Sequence, residues 1–231
     1  MLPWLDINSP FPYTDRALRV PNGLLAAGGD LSPQRLLLAY QQGIFPWYNP
    51  GEPILWWCPD PRMVLFPEAF KVSRSLAKTL RNSNYEIHFD RNFLAVLQAC
   101  AAPREGHNGT WISAEMIAAY MRLHELGYAH SVEVWQQGKL VGGLYGVALG
   151  RMFYGESMFS HIPNGSKIAL AQLSKQLSRW QFGMIDCQMH TPHLASLGAV
   201  LMPRDEFANR LQELVHCTPI TQWRFDLDLY P

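Results

Sequence analysis

The run AHSVEVWQQGKLVGGLYGVALGRMFYGESMF, residues 129–159, decides how the chain folds. It divides into three segments, Ala129 to Trp135, Lys139 to Ala148 and Arg151 to Phe159, each rich in β-branched and aromatic residues. Gln137-Gly138 and Leu149-Gly150 separate them, and short glycine-bearing links of this kind close β-hairpins. The run therefore predicts an antiparallel meander. After it, Ser166 to Trp180 reads as a helix, Met184 to Gln188 as a strand, and His193 to Leu197 and Arg204 to Val215 as helices. Before it, Met63 to Phe66 and Tyr85 to Phe89 read as strands and Val72 to Leu80 as a helix. Asp90 to Ala101 reads as an Asp-capped helix, and Ser113 caps a longer one that stops at Gly127. Strands and helices alternate throughout.

Residues 1–62 have another texture, rich in Pro, Gly and Trp. One helix is evident there: Ser32 is its cap, Pro33 its first residue and Gly43 its stop. The prolines of Ile44 to Pro50 and Pro59 to Pro61 exclude a regular helix beyond it. The expected architecture is α/β (α+β), with a small N-terminal domain over 1–62. A mixed-sheet domain over 63–231 would follow, whose order of meander, helix and strand is that of an acetyltransferase-like (GNAT-like) core.

Composition narrows the functional classes. Hydrophobic residues form 48% of the 231 and charged ones 16%, which supports a packed core and argues against wholesale disorder. No apolar run reaches the roughly 20 residues that span a bilayer. The first ten residues carry no basic side chain and make a poor secretory signal. Cys58, Cys100, Cys187 and Cys217 are scattered, so neither a disulfide framework nor a zinc site is expected. A reducing cytoplasm is the expected home. With 19 basic and 19 acidic residues the net charge is zero, so any contact with nucleic acid should be local.

Several ordered segments resemble the bacterial leucyl/phenylalanyl-tRNA–protein transferases. They include Gly23 to Leu31, Gly43 to Trp47, Ile54 to Trp57, Pro59 to Arg62 and Gly109 to Ile112. They continue with Ala129 to Glu133, Leu140 to Gly143, Gly155 to Ser160, Ile185 to Gln188 and Ser196 to Ala199. The resemblance covers roughly residues 20–215. It implies transfer of Leu, Phe or Met from charged tRNA to proteins that begin with Arg or Lys, marking them for degradation. It further implies no coenzyme or metal, and a cytoplasmic monomer.

Such an enzyme joins an amine to an activated ester. A free α-amine has a pKa near 8, so about 10% is neutral at pH 7 and no strong base is required. Holding the reactants together supplies about 7–11 kcal/mol. Asp186 and Gln188, two apart on a predicted strand, share a face. They are expected to hold the incoming ammonium and orient it; the alternatives for Asp186 are a pair with a buried arginine or a helix cap. Phe153, Gly155 and Met158 suit an apolar aminoacyl pocket, which Leu144, Leu170, Leu173 and Leu177 would complete. On the resemblance, Glu156 would contact the aminoacyl α-amine. Trp47 and Trp111, in loops, are candidates to stack on a terminal adenine, with Tyr40 and Tyr120 at the same site on resemblance. Lys71, Arg74, Lys78 and Arg81, spaced 3, 4 and 3, form a basic stripe for a tRNA stem, with Arg62 and Arg91 as candidates to extend it. Cys187 would face away from Asp186 into the core. His190 and His193 straddle a proline, a poor metal geometry. A coenzyme-A acetyltransferase would need a glycine-rich loop ahead of its helix, which Ser160 to Ser166 does not supply.

Overall fold

In the computed structural model, residues 2–81, 84–103 and 112–229 are described. Two mixed sheets organise them. The smaller uses β1 (Trp4–Leu5), β2 (Leu24–Gly28), β3 (Phe45–Pro46) and β4 (Leu55–Trp57), in the order β1-β2-β4-β3. Beside it lies α1 (Pro33–Gln41), which Ser32 caps by accepting from Arg35 N and which Pro33 opens. Strands of two to five residues are too short to show a period of two, which is why sequence reading found only the helix here. Pro46 has no N–H to donate and lies accordingly on the edge strand.

The larger sheet has β5 (Arg62–Leu65), β6 (Glu86–Phe89), β7 (Ala129–Gln136), β8 (Lys139–Leu149), β9 (Met152–Ser160), β10 (Met184–Gln188) and β11 (Val200–Met202). Their order is β11-β5-β10-β9-β8-β7-β6. The expected meander is β7-β8-β9. The helix α5 (Gly165–Arg179) then returns the chain to β10, which pairs in parallel with β9. β11 was not anticipated from sequence.

The remaining helices are α2 (Arg74–Arg81), α3 (Phe93–Ala101), α4 (Ala114–Glu125), α6 (Pro192–Ser196) and α7 (Arg204–Val215). Ser113 caps α4 as expected. For α3 the expected cap was Asp90, but Asn92 holds that place and accepts from Ala95 N. Asp90 has φ +54 and accepts from Ser131 N instead, tying the helix entry to β7.

Alternation along the strands sends side chains to two cores. On one face Leu144, Phe153 and Ile185 meet Ile168, Leu170, Leu173 and Leu177 of α5. On the other, Tyr145, Tyr154 and Met184 meet α1, α3, α4 and Trp56 of the small sheet. Seating α5 needs two glycines. A Cβ on Gly142 of β8 would lie 2.6 Å from the Gly165 backbone, and one on Gly165 would lie 3.1 Å from Gly142 Cα. Gly142→Ala should therefore push α5 outward and cost about 1–3 kcal/mol, as overpacking does. Urea unfolding checks this: the midpoint should fall while the slope stays unchanged.

Candidate active site

The hydrogen-bond ladder between β9 and β10 ends at the pair Tyr154–Asp186, yet both strands run on, to Ser160 and Gln188. Beyond that pair the sheet opens. Each strand also carries a bulge. Against β8, Ser157 pairs with Tyr145 and Gly155 with Gly146, so Glu156 is the extra residue. Against β5, Asp186 pairs with Val64 and Gln188 with Met63, so Cys187 is extra. Bulges re-aim side chains, and here they turn Glu156 and Gln188 towards each other across the opening.

The opening leads into a cavity of about 120 Å³. Among the residues expected in an aminoacyl pocket, Leu144, Phe153, Gly155, Met158, Leu170 and Leu173 line it. Leu177 does not; it is fully buried further along α5. Ile185, Cys187 and Leu194 complete the wall and were not singled out as pocket residues. An apolar cavity of about 150 Å³ accepts a benzene, so this volume is of the order of one apolar side chain. Burial pushes the Cys187 thiol up, which keeps it protonated and unreactive.

Glu156 is 9% exposed at the edge of this cavity. Tyr40 Oη lies 2.8 Å from its Oε1 and Tyr120 Oη 2.6 Å from its Oε2, both at hydrogen-bond distance. Gln188 Nε2 adds a third contact at 3.2 Å. Burial nevertheless pushes its carboxyl up to about 7, with a contribution from the charge of Asp186 and against the pull of the two tyrosines and Gln188. Tyr40 and Tyr120, expected at the adenine site, are both fully buried, with their hydroxyls on Glu156.

Asp186 also differs from expectation. Its carboxylate is wholly buried and takes Arg62 Nε at 2.8 Å and Arg62 Nη2 at 2.6 Å, a bidentate pair. Its Oδ1 further accepts from Gln188 N at 2.8 Å. These bonds occupy both carboxylate oxygens and tie Asp186 to the backbone of Gln188, which has φ +61. The alternative of a buried arginine partner is the one realised. Arg62, expected in the basic patch, is 1% exposed and lies between the rings of Phe45 and Phe207, 4.8 Å from each centroid. An arginine opening an apolar strand was the available signal.

Outside the cavity, Trp47 is 38% exposed and braced by Trp57, whose Nε1 donates to Trp47 O. Trp111 lies outside the described residues. Arg74, Lys78 and Arg81 are exposed on α2, opposite the buried Leu76. Lys71 is exposed too but precedes the helix, because Ser73 caps α2 by accepting from Leu76 N. Arg91 is engaged with Glu86 and stacks on Trp135. At the N-terminus of α5, Ser166 N donates to Ser160 Oγ, so that amide is not free for a phosphate. Asp90, His124 and His130 bring ligand atoms within 4.8 Å of one another. Internal bonds account for that cluster: His130 Nδ1 contacts Asp90 at 2.7 Å and His124 Nδ1 the Ala129 carbonyl at 2.8 Å.

The family model for leucyl/phenylalanyl-tRNA protein transferase matches residues 64–212, and that for the N-terminal domain of the same transferase matches 29–60. The leucyl/phenylalanyl-tRNA–protein transferase of Nitrosospira multiformis is 64% identical over 227 residues, covering 98% of each chain. The transferases of Thiobacillus denitrificans and Nitrosomonas europaea are 63% and 59% identical, covering 94% and 100% of this chain and 96% and 98% of their own. A GCN5-related N-acetyltransferase-like protein from Streptococcus suis aligns at 12% identity and TM-score 0.35, over 70% of this chain and 60% of that one, a likeness too slight to build on. With relatives this similar over their whole length, the chain belongs to the leucyl/phenylalanyl-tRNA–protein transferase family of aminoacyltransferases.

Proposed function

We propose that this protein transfers Leu, Phe or Met from aminoacyl-tRNA to the α-amine of proteins that begin with Arg or Lys, marking them for degradation. One observation carries the reading: an apolar cavity of side-chain size with two carboxyl groups in its lining, of which Asp186 is taken up by Arg62 and Glu156 is left facing the opening. The donor's side chain enters between Phe153, Met158, Leu170 and Leu173 while Glu156 takes its amino group. That arrangement recognises both ends of an apolar amino acid that is not branched at Cβ, and its mostly apolar walls disfavour a hydrophilic side chain. The ester carbonyl is left at the opening near Gln188, where the acceptor amine attacks it. The C–N bond forms, the ester C–O bond breaks, and the amine's proton leaves with the tRNA hydroxyl or through solvent. Asp186 and Arg62 are positioning residues in this scheme, since they hold Gln188 but do not reach the substrate.

Trp47 supplies an exposed ring for the terminal adenine, and Trp111 would belong to the same site. Arg74, Lys78 and Arg81, with Lys71 beside them, take the tRNA stem. A handful of phosphate contacts suits a chain of zero net charge and gives modest, salt-sensitive affinity. No helix among the described residues is long and apolar enough to cross a membrane.

With leucyl-tRNA and an Arg-ended peptide, the enzyme should yield a peptide longer by one residue, read by mass spectrometry; an unchanged peptide refutes the assignment. Leu170→Phe should shrink the cavity and lower kcat/KM for a phenylalanyl donor at least ~10-fold more than for a leucyl donor, the scale of one or two methylenes. Asp186→Ala leaves Arg62 buried and unpaired, and should cost about 3–5 kcal/mol in urea unfolding, most of it recovered when Arg62→Met is added. Arg74→Glu with Lys78→Glu should raise KM for whole tRNA and leave a minimal aminoacyl-adenosine donor unchanged. Equal effects on both donors would remove the helix from the RNA contact.

A further inference from the structure

Three oxygens stand in a closed triangle behind the cavity. Tyr40 Oη lies 2.6 Å from Tyr120 Oη and 2.8 Å from Glu156 Oε1, and Tyr120 Oη lies 2.6 Å from Glu156 Oε2. Each separation is that of an O–H···O hydrogen bond, so each edge needs one hydrogen. Burial pushes both phenols well above their ordinary range, so each keeps its proton and together they supply two. If Glu156 were ionised, both would donate to it and the two phenol oxygens would meet at 2.6 Å with no hydrogen between them. A third proton, on Glu156, removes that conflict. Glu156 Oε2–H then donates to Tyr120, Tyr120 to Tyr40, and Tyr40 back to Oε1.

We propose that in the free enzyme Glu156 is a neutral carboxylic acid, its proton completing a ring of three hydrogen bonds with Tyr40 and Tyr120, and that the ring delivers this proton to the amino group of the aminoacyl donor. Tyr40 on α1 and Tyr120 on α4 are the positioning residues, and Glu156 is the group that touches substrate. Among the described residues, the groups that bear most on this carboxyl include no cation. Facing Glu156 are Tyr145 from β8, edge-on to Tyr120, and Gln188 and Asp186 from β10. Tyr154 of β9 donates its hydroxyl elsewhere, to Tyr40 O. Arg62 of β5 is engaged by Asp186 in its bidentate pair. The carboxyl's upward displacement to about 7, caused chiefly by burial, agrees with the proton count but is independent of it.

The transfer balances. A donor arriving with a neutral amine takes the Glu156 proton: the carboxyl O–H breaks, an N–H forms, and an ammonium–carboxylate pair results. The two phenolic hydrogens then donate to the new carboxylate, as does Gln188, and the two phenol oxygens, left without a hydrogen between them, move apart from their separation in the free enzyme. A donor arriving already as an ammonium displaces the acid proton to solvent instead. Either way the donor carries its positive charge next to the ester carbonyl, which makes that carbon more electrophilic. The donor's own amine is also prevented from competing as a nucleophile with the acceptor's.

Since this rests on the reading that Glu156 receives the donor amine, the test separates the two. Protein carrying [δ-13C]glutamate is titrated by NMR without RNA, and the Glu156 signal is assigned by its absence in Glu156→Gln. The expected midpoint is about 7. Tyr40→Phe and Tyr120→Phe should each move it further up, because the carboxylate loses a charge-assisted bond about twice as strong as the one the neutral acid loses. A midpoint near the ordinary glutamate value of about 4.3, or one that neither tyrosine substitution moves, overturns the ring. A second readout is stability. Because the folded-state pKa is raised, the stabilisation from protonated Glu156 is present at low pH and lost as pH rises towards about 7. The urea midpoint of Glu156→Gln relative to the parent should therefore climb between pH about 5 and about 7. A parallel pair of curves counts against the proposal. Finally, 3′-leucylamino-3′-deoxyadenosine, whose amide cannot be transferred, should pull the NMR midpoint down as its ammonium pairs with Glu156. A midpoint of 7 that this analogue leaves in place keeps the ring and overturns the donor-amine assignment alone.

Discussion

The Arg62–Asp186 pair is the interaction on which the site depends. Asp186 is the last residue at which β10 still pairs with β9, and Arg62 opens β5 on its other side. The guanidinium lies between Phe45 of the small sheet and Phe207 of α7, so one buried pair binds four elements at the point where the large sheet parts. Such a pair is weak as a source of net stability, since desolvation offsets much of the attraction. Its value here is geometric. With both carboxylate oxygens occupied, Asp186 still accepts from Gln188 N and so fixes the strand end that faces the cavity.

Two buried carboxyl groups on neighbouring strands have thus been given opposite electrostatic surroundings. Asp186 has a cation in bidentate contact, whereas Glu156 has only neutral donors and feels the charge of Asp186 besides. In a low-dielectric site that difference is large, because an ion without a counter-ion bears the full cost of desolvation. The two carboxyl groups differ accordingly: one is tied into the scaffold by a counter-ion, and the other faces the cavity without one.

The cavity is a consequence of strand geometry more than of any residue type. Phe153, Leu144 and Ile185 would be ordinary core if β9 and β10 stayed paired to their ends. The two bulges and the end of the ladder at Tyr154 leave a gap between those side chains and α5. Gly142 and Gly165 hold α5 close enough for Leu170 and Leu173 to form the opposite wall.

The meander of residues 129–159, the helices capped at Ser32 and Ser113, and the apolar lining of Phe153, Met158, Leu170 and Leu173 were legible in the chain itself, because periodicity, capping and polarity are local properties. Glu156 stood out as a carboxyl in an apolar strand. Its partners did not, since Tyr40 and Tyr120 lie 116 and 36 residues away and meet it only when α1 and α4 pack on the same face. Arg62 read as a surface cation for the same reason: 124 residues separate it from Asp186, and no local pattern announces a pair across two strands. Bulges, too, escape a period-of-two reading, which is why Asp186 and Gln188 were expected to work side by side on one face. What the residues determined alone was which elements form and which side chains are apolar or ionisable; which carboxyl is neutralised by an arginine and which is left to share a proton was decided by packing, because charge state depends on neighbours that only the tertiary fold brings together.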